Sequence, residues 1–179
     1  MRAVAEGLAG LGIATLRYQF PYMERGSRRP DPPPLCHATV RAAVAEAARL
    51  VPGLPLVAGG RSFGGRMTSQ AQAIEPLPGV LGLAFLAFPL HPAGEPSDSR
   101  ARHLSKVSVP MLFLQGTRDA LAERGLIEAV VAGLGRRSTL SLVEEADHSF
   151  HVPARSGRTD AQTLTELLQR LAAWIDVLR

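Results

Sequence analysis

The uninterrupted apolar run "VLGLAFLAFP" (80–89) limits the possible folds of this chain more than any other segment. A strand with one solvated face alternates apolar and polar residues, whereas a strand covered on both faces is apolar throughout. Three further segments are predicted as strands, "PLVAGG" (55–60), "PMLFLQGTRD" (110–119) and "TLSLVEEA" (139–146), and segments of helical composition alternate with these strands. We therefore predict a three-layer α/β/α sandwich with a mostly parallel sheet.

The remaining elements follow from periodicity and from glycine and proline punctuation. An amphipathic helix is predicted over 3–11, closed by Gly12, and a β-rich strand over 13–20, stopped by Pro21. Residues 22–34 are rich in proline and charge, which predicts an exposed loop. Further helices are predicted over 35–50, over about 63–75, up to Gly133 and over about 159–178. The last helix carries an apolar stripe of Leu164, Leu167, Leu168, Leu171, Trp174, Ile175 and Leu178, the spacing of a helix packed on a sheet.

Composition excludes several classes of function. With 179 residues, 46% of them apolar, the chain can form one core, so a single domain over 1–179 is predicted. The net charge of +4 comes from scattered arginines without interleaved aromatic residues, which argues against a nucleic-acid partner. Cys36 is the only cysteine and is expected to be a buried apolar residue. Since it cannot form an intramolecular disulfide, nothing ties the chain to an oxidising compartment, and a reducing, cytoplasmic setting fits better. No segment reaches the roughly 18 uninterrupted apolar residues of a membrane span.

The stretch "GGRSFGG" (59–65) surrounds one serine, Ser62, with four glycines between a predicted strand and a predicted helix. Gly60 to Gly64 match the pattern G-x-S-x-G, which in this context forms a nucleophile elbow. A turn this sharp strains the serine backbone, and we expect a side chain at Gly60 or Gly64 to clash with the neighbouring turn or helix. The Phe63 N–H, at the helix N-terminus, is the predicted donor to an oxyanion.

A serine hydroxyl needs a base that takes its proton and a carboxylate that orients this base. Asp119 directly follows the third predicted strand and His148 follows the fourth. All three residues stand at the carboxyl ends of predicted parallel strands, where open α/β sheets place their sites. Ser62, Asp119 and His148 are therefore the predicted catalytic residues.

With these segments in place, the chain resembles the small α/β-hydrolases without a cap domain. Within them it is similar to the dienelactone-hydrolase-like group and to the branch of testis-expressed protein 30 and the KANSL3 hydrolase-like domain. The matching segments are "GLAGLGIATLRYQFPYME", "GGRSFGGRM", "FPLHPAGEP", "RARHL", "VPMLFLQGTRD" and "EEADHSF". The resemblance implies Ser62 as nucleophile, His148 as base, Asp119 as the acid that orients it, and the Phe63 N–H as one oxyanion donor. It implies neither a cofactor nor a metal.

The chain departs from this family in two respects. Dienelactone hydrolases proper use a cysteine nucleophile, so their substrate is not carried over to the Ser62 elbow. Members of the family also begin with further strands and an "HGAG"-like loop that supplies a second oxyanion N–H, whereas this sequence starts inside the helix after that loop. We expect Met1 to be an internal start of a longer polypeptide, or the enzyme to be much weakened.

Several other polar residues near the motif are further candidates for the site. Arg61 either binds an acidic group of the substrate or, as favoured, pairs with a carboxylate below the sheet. His91 lies in the loop after 80–89 and is a candidate substrate contact, although such proline-flanked histidines usually face solvent. His151 is a competing base but lies further from the strand end. Glu144 and Glu145 compete with Asp119 but are expected to point away from the imidazole.

The sequence thus predicts a cytoplasmic serine hydrolase that cleaves an ester or related acyl bond of a small molecule through an acyl-enzyme on Ser62. The loop 90–106 is too short for a helical lid, so the pocket is expected to be open. The alternative is a non-catalytic hydrolase-like module that acts as an interaction scaffold. No cofactor, nucleic acid or membrane partner is expected, and the acyl group, the alcohol and the oligomeric state stay open.

Overall fold

The computed structural model describes residues 1–178, and its centre is a sheet of four parallel strands in the order β1-β2-β3-β4. The strands are β1 (Leu56–Arg61), β2 (Val80–Leu86), β3 (Met111–Gly116) and β4 (Ser138–Val143). The α-helices are α1 (Arg2–Gly10), α2 (Pro21–Glu24), α3 (Pro33–Leu50), α4 (Phe63–Ile74), α5 (Arg124–Leu134) and α6 (Asp160–Val177). Three 3₁₀ segments occupy Ser99–Lys106, Gly135–Arg137 and Ala154–Ser156.

Both faces of the sheet are covered, which is why the central strands are apolar throughout. In β2, Leu83 and Phe85 belong to the core shared with α3, α4 and α5, whereas Ala84 and Leu86 belong to the core shared with α1 and α6. The same alternation continues in β3. The predicted layered fold with a parallel sheet is therefore confirmed, and the reason is the period of two residues that sends successive side chains to opposite faces.

The register of the strands brings their carboxyl ends to one edge of the sheet. Arg61 of β1 pairs with Leu86 of β2, and Gly116 of β3 pairs with Val143 of β4. The segments that follow β1, β3 and β4 consequently leave the sheet side by side. This edge receives Ser62, Asp119 and the residues after Val143.

The predicted strand over 13–20 is wrong. Residues 14–19 make no backbone–backbone hydrogen bond within the described chain, and β1 is an edge strand bonded only to β2. An apolar cavity of about 470 Å³, lined by 12–18 and β1 together with α1, α3 and α6, separates this segment from the sheet. A strand needs a neighbour within bonding distance, so β-rich composition alone does not produce one.

Two predicted loops contain short helical segments. The proline-rich stretch 22–34 includes most of the one-turn helix α2 and the start of α3. The stretch 90–106 includes the 3₁₀ segment Ser99–Lys106, which packs Ala101 and Leu104 into the core beside α4 and forms no lid. Within residues 1–178, no helix is both long enough and apolar enough to cross a bilayer.

Candidate active site

Ser62 lies between the end of β1 and the start of α4, at a sharply bent backbone position. Its φ is 51° and its ψ is −118°, in a region that residues other than glycine rarely adopt. The bend is held from both sides, since the Ser62 N–H donates to Leu86 O at 3.0 Å and the Arg66 N–H donates to Ser62 O at 3.1 Å. Strain of this kind persists only where the surroundings fix it, and here it lifts the hydroxyl above the sheet edge.

The glycines around Ser62 differ in how much space a side chain would have. A Cβ on Gly60 would lie 3.0 Å from the Gly64 carbonyl carbon, as expected from the sequence. The expected clash at Gly64 is wrong, because a Cβ there meets nothing within 4 Å. Two further positions are crowded: a Cβ on Gly59 would lie 1.9 Å from Ala84 O of the neighbouring strand, and a Cβ on Gly65 would lie 2.7 Å from Gly60 O. Close packing of the helix on the strand therefore requires glycine at 60 and 65, and close pairing of β1 with β2 requires it at 59.

Ser62, His148 and Asp119 form one chain of hydrogen bonds. Ser62 Oγ lies 2.8 Å from His148 Nε2, and His148 Nδ1 lies 2.7 Å from Asp119 Oδ2. The Asp119 side chain is fully buried and the His148 side chain is 22% exposed. The second nitrogen of a histidine is free to accept a proton when the first donates to a carboxylate, so His148 can take the proton of Ser62.

Gln115, which the sequence analysis missed, holds Asp119 in place. Its Nε2 donates to Asp119 Oδ2, and its Oε1 accepts from the Phe88 N–H at 2.9 Å. The other carboxylate oxygen accepts from the Leu121 N–H at 2.8 Å. Gln115 is fully buried, and an amide inside the apolar run of β3 was the signal that could have revealed it.

The loop that carries His148 is also braced. Asp147 Oδ1 accepts from the N–H groups of Ser149 and His151, and Phe150 ends the turn with a φ of 62°. Arg61 forms no ion pair with a carboxylate of residues 1–178, so the favoured expectation of such a pair is wrong. Its Nη2 donates to Ser149 Oγ at 2.9 Å and to His148 O at 3.4 Å, which ties the loop to the end of β1.

The remaining candidates lie outside this chain of bonds. His91 is 1% exposed, so the expectation of a solvent-facing residue is wrong, and its Nδ1 donates to Pro92 O. His151 pairs instead with Asp160, and its Nδ1 lies 2.9 Å from the carboxylate. Glu144 forms an ion pair with Arg124, and Glu145 forms ion pairs with Arg118 and Arg155. Cys36 is buried, as expected.

The Phe63 N–H lies at the N-terminal end of α4, directly after Ser62. Phe63 is the first residue of α4, and its N–H makes no hydrogen bond to any described residue. The first amides of a helix lack partners within the helix, and the helix dipole favours an anion at this end. This N–H therefore stays available beside Ser62.

A parallel sheet with helices on both faces and a serine elbow between a strand and a helix are the features of the α/β-hydrolase fold. The chain belongs to the alpha/beta hydrolase domain family, whose model matches residues 1–176. Family and fold thus indicate a hydrolase.

Solved structures of similar fold come from several bacteria. A serine hydrolase homologue from Coxiella burnetii has a TM-score of 0.73 at 20% identity, with 95% of this chain and 74% of that chain covered. XC6422 from Xanthomonas campestris, an α/β serine hydrolase without a lid, has a TM-score of 0.72 at 22% identity, with 97% and 72% covered. Est1E from Butyrivibrio proteoclasticus, solved with ferulic acid, has a TM-score of 0.66 at 16% identity, with 96% and 82% covered.

Proposed function

We propose that this protein is a serine hydrolase that cleaves an ester or related acyl bond of a small substrate. The observation that carries the proposal is the continuous hydrogen-bond chain from Ser62 through His148 to Asp119, built on a strained elbow. An aligned serine and histidine support an enzyme over the alternative of a non-catalytic scaffold, for which a blocked or misaligned serine would be expected.

In the first half of the reaction, Ser62 Oγ attacks the carbonyl carbon of the ester while its proton passes to His148 Nε2. The imidazolium that forms is stabilised by the Asp119 carboxylate, and the developing oxyanion accepts a hydrogen bond from the Phe63 N–H. Collapse of the tetrahedral intermediate breaks the bond to the alcohol oxygen, which leaves with the proton of His148. The product of this half is an acyl-enzyme on Ser62.

In the second half, His148 Nε2 takes a proton from a water molecule, and the resulting hydroxide attacks the acyl carbonyl. Collapse returns the proton from His148 to Ser62 Oγ and releases the carboxylic acid. Neither half requires a cofactor. Gln115 and Arg61 touch no reacting atom in this scheme and act by holding Asp119 and the His148 loop.

The substrate is proposed to be small, because no helical lid closes over Ser62 within the part of the chain that the structure describes. The lidless serine hydrolase from Xanthomonas and Est1E with bound ferulic acid, although similar only in fold, are compatible with this choice. The narrower resemblance to the dienelactone-hydrolase-like group and the branch of testis-expressed protein 30 stays a prediction, since the matched family model is broader.

Labelling with a fluorophosphonate probe tests the proposed nucleophile. The probe is expected to modify the folded protein at Ser62, as read by peptide mass spectrometry, and to leave Ser62→Ala and heat-denatured protein unlabelled. Hydrolysis of para-nitrophenyl acetate by Ser62→Ala is expected to fall by at least ~10³-fold. No labelling under conditions where a control serine esterase reacts, or labelling at another residue, would contradict the proposal.

A further inference from the structure

Arg66, one turn into α4, is a partly buried cation without a bonded partner. Its side chain makes neither a hydrogen bond nor an ion pair with residues 1–178, and its Nε is fully buried. The guanidinium carbon lies 5.5 Å from the centroid of the Phe63 ring. The buried Nε–H has no acceptor within residues 1–178, and an unsatisfied buried donor is costly.

Three other partly buried arginines, Arg41, Arg158 and Arg170, have acceptors within residues 1–178, whereas Arg66 has none there. Arg41 donates to two carbonyl oxygens at the end of α4, each at 2.7 Å. Arg170 donates to Leu142 O and also pairs with Glu166. The sequence of this chain therefore provides acceptors for buried guanidinium groups elsewhere but none for Arg66.

A second cation, Arg100, reinforces the positive charge near Arg66. Arg100 is partly buried at the start of the 3₁₀ segment Ser99–Lys106 and forms no ion pair with any described residue. Burial lowers the pKa of Arg66, and the nearby Arg100 lowers that pKa further. Two cations in a partly desolvated place favour a bound anion.

The neighbouring ionisable groups do not supply this anion. Burial and the charge of Arg66 lower the pKa of His103 to about 4, so its ring is neutral at pH 7. His103 Nε2 lies 2.8 Å from Ser69 Oγ, which itself donates to Arg66 O. The carboxylate of Asp31, the acidic residue beside Cys36, is already bound to Arg25 and to the Tyr22 N–H.

Arg66 is close to the proposed reaction centre. Its backbone N–H donates to Ser62 O at 3.1 Å, so Arg66 stands one helical turn, about 5.4 Å along the axis, from the elbow. Phe63, whose N–H is the proposed oxyanion donor, places its ring beneath the guanidinium. Arg61, the other arginine of the elbow, is occupied by the His148 loop.

We propose that Arg66, supported by Arg100, binds an anionic group of the substrate, so that the preferred esters also carry a carboxylate about one helical turn from the scissile bond. A carboxylate matches the planar fork of a guanidinium and can accept two of its N–H groups. This inference rests on the proposed hydrolase function and assigns the substrate class of the same site.

Two rigid pairs of esters, each with a charged and a neutral member, test the inference. Meta-acetoxybenzoate and meta-acetoxybenzamide place the charge on the alcohol side. The mono-para-nitrophenyl ester of terephthalate and para-nitrophenyl carbamoylbenzoate place it on the acyl side. Values of kcat/KM are measured for the wild type, Arg66→Gln and Arg66→Lys, and for Arg102→Gln as a matched loss of an exposed charge on the same surface.

In at least one pair the wild type is expected to prefer the charged ester. Arg66→Gln is expected to lower kcat/KM for that ester by ~10- to 100-fold, the range of one or two charge-assisted hydrogen bonds, and for its neutral partner by less than about threefold. Arg66→Lys should restore part of the loss, whereas Arg102→Gln should leave the preference intact. Equal losses on both members of a pair, or no loss, would overturn the inference.

Binding of terephthalate, measured by titration calorimetry, separates this inference from the proposed function. If no ester is hydrolysed, the hydrolase proposal fails, and tighter binding of terephthalate by the wild type than by Arg66→Gln still supports the anion site. Equal binding by the two proteins, or none by either, counts against it whatever the turnover.

Discussion

At the scale of single residues, Ser62 and its glycines show how the close approach of two elements selects side chains. The strained φ of Ser62 is possible because the turn between β1 and α4 is bonded at both ends. The helix can approach the strand so closely only because Gly60 and Gly65 lack a Cβ, whereas Gly64 faces open space. Three glycines in similar sequence surroundings therefore carry different structural demands.

This difference predicts opposite outcomes for two neighbouring substitutions. Gly65→Ala is expected to destabilise the protein by about 1–3 kcal/mol, since its Cβ would lie 2.7 Å from the backbone oxygen of Gly60. Gly64→Ala is the matched control and is expected to be neutral or to stabilise by up to ~1 kcal/mol, because alanine favours the helix. Urea unfolding monitored by circular dichroism measures both, and similar midpoints for the two variants would contradict the prediction.

The sequence was sufficient to predict which residues meet at the site, but not the side chains that support them. The positions of Ser62, Asp119 and His148 after strands predicted their meeting because parallel strands end at one edge. The roles of Gln115 and Arg61 depend on contacts between residues that are far apart in the sequence. No local sequence pattern predicts such contacts. The burial of His91 was likewise not predictable, since it arises from the packing of its loop beside Leu121.

At the scale of elements, the start of α6 is held to the loop that follows His148. Thr159 caps the helix with a reciprocal bond to Gln162, and Asp160 accepts from the Val152 N–H at 3.0 Å. Asp160 also pairs with His151, whose pKa is raised by this hydrogen bond, while the pKa of Asp160 is lowered by it. The attachment of α6 is therefore expected to depend on pH.

The sign of this dependence follows from the two shifts. The raised pKa of His151 means that its contribution is present below the unfolded value of about 6.5 and is lost as the pH rises through the folded pKa. The lowered pKa of Asp160 means that its contribution is present above about 3.9 and is lost as the pH falls through the folded pKa. Both contributions are present together between these limits.

Asp160→Asn is accordingly expected to destabilise the protein more at about pH 5.5 than at an alkaline pH above the folded pKa of His151, where the imidazole is neutral. Urea midpoints at the two pH values give the measurement. The same substitution in a His151→Asn background serves as control, and its cost is expected to be independent of pH. A cost that is larger at the alkaline pH would show that the pair does not act in this way.

The four strands and five of the six helices were predictable from the sequence, because their periodicity and their breaks lie within short windows. The strand predicted over 13–20 was wrong for a physical reason. A strand exists only with a hydrogen-bonded neighbour, and the nearest edge of the sheet, β1, lies across a cavity. Phe20 nevertheless packs on Phe63 and Tyr22, so aromatic contacts hold the end of this segment without a ladder.

At the scale of the whole molecule, the distribution of backbone hydrogen bonds divides the chain into parts of different local stability. β2 and β3 are bonded on both sides and buried on both faces. β1 and β4 are edge strands with one bonded neighbour each. Residues 14–19 lie across the cavity from β1 and have no backbone hydrogen-bond partner among the residues that the structure describes.

Hydrogen–deuterium exchange should follow this order, because an amide exchanges once its bond opens and an amide without a bond needs no opening. Peptides covering 14–19 are expected to exchange at nearly the rate of an unstructured chain, peptides of β1 and β4 more slowly, and those of β2 and β3 last, at the rate of global unfolding. Mass spectrometry of peptic fragments over times from seconds to hours resolves these classes. Protection of 14–19 equal to that of β1 would contradict this prediction. It would mean that the segment has a backbone hydrogen-bond partner in solution and that the cavity beside β1 is closed.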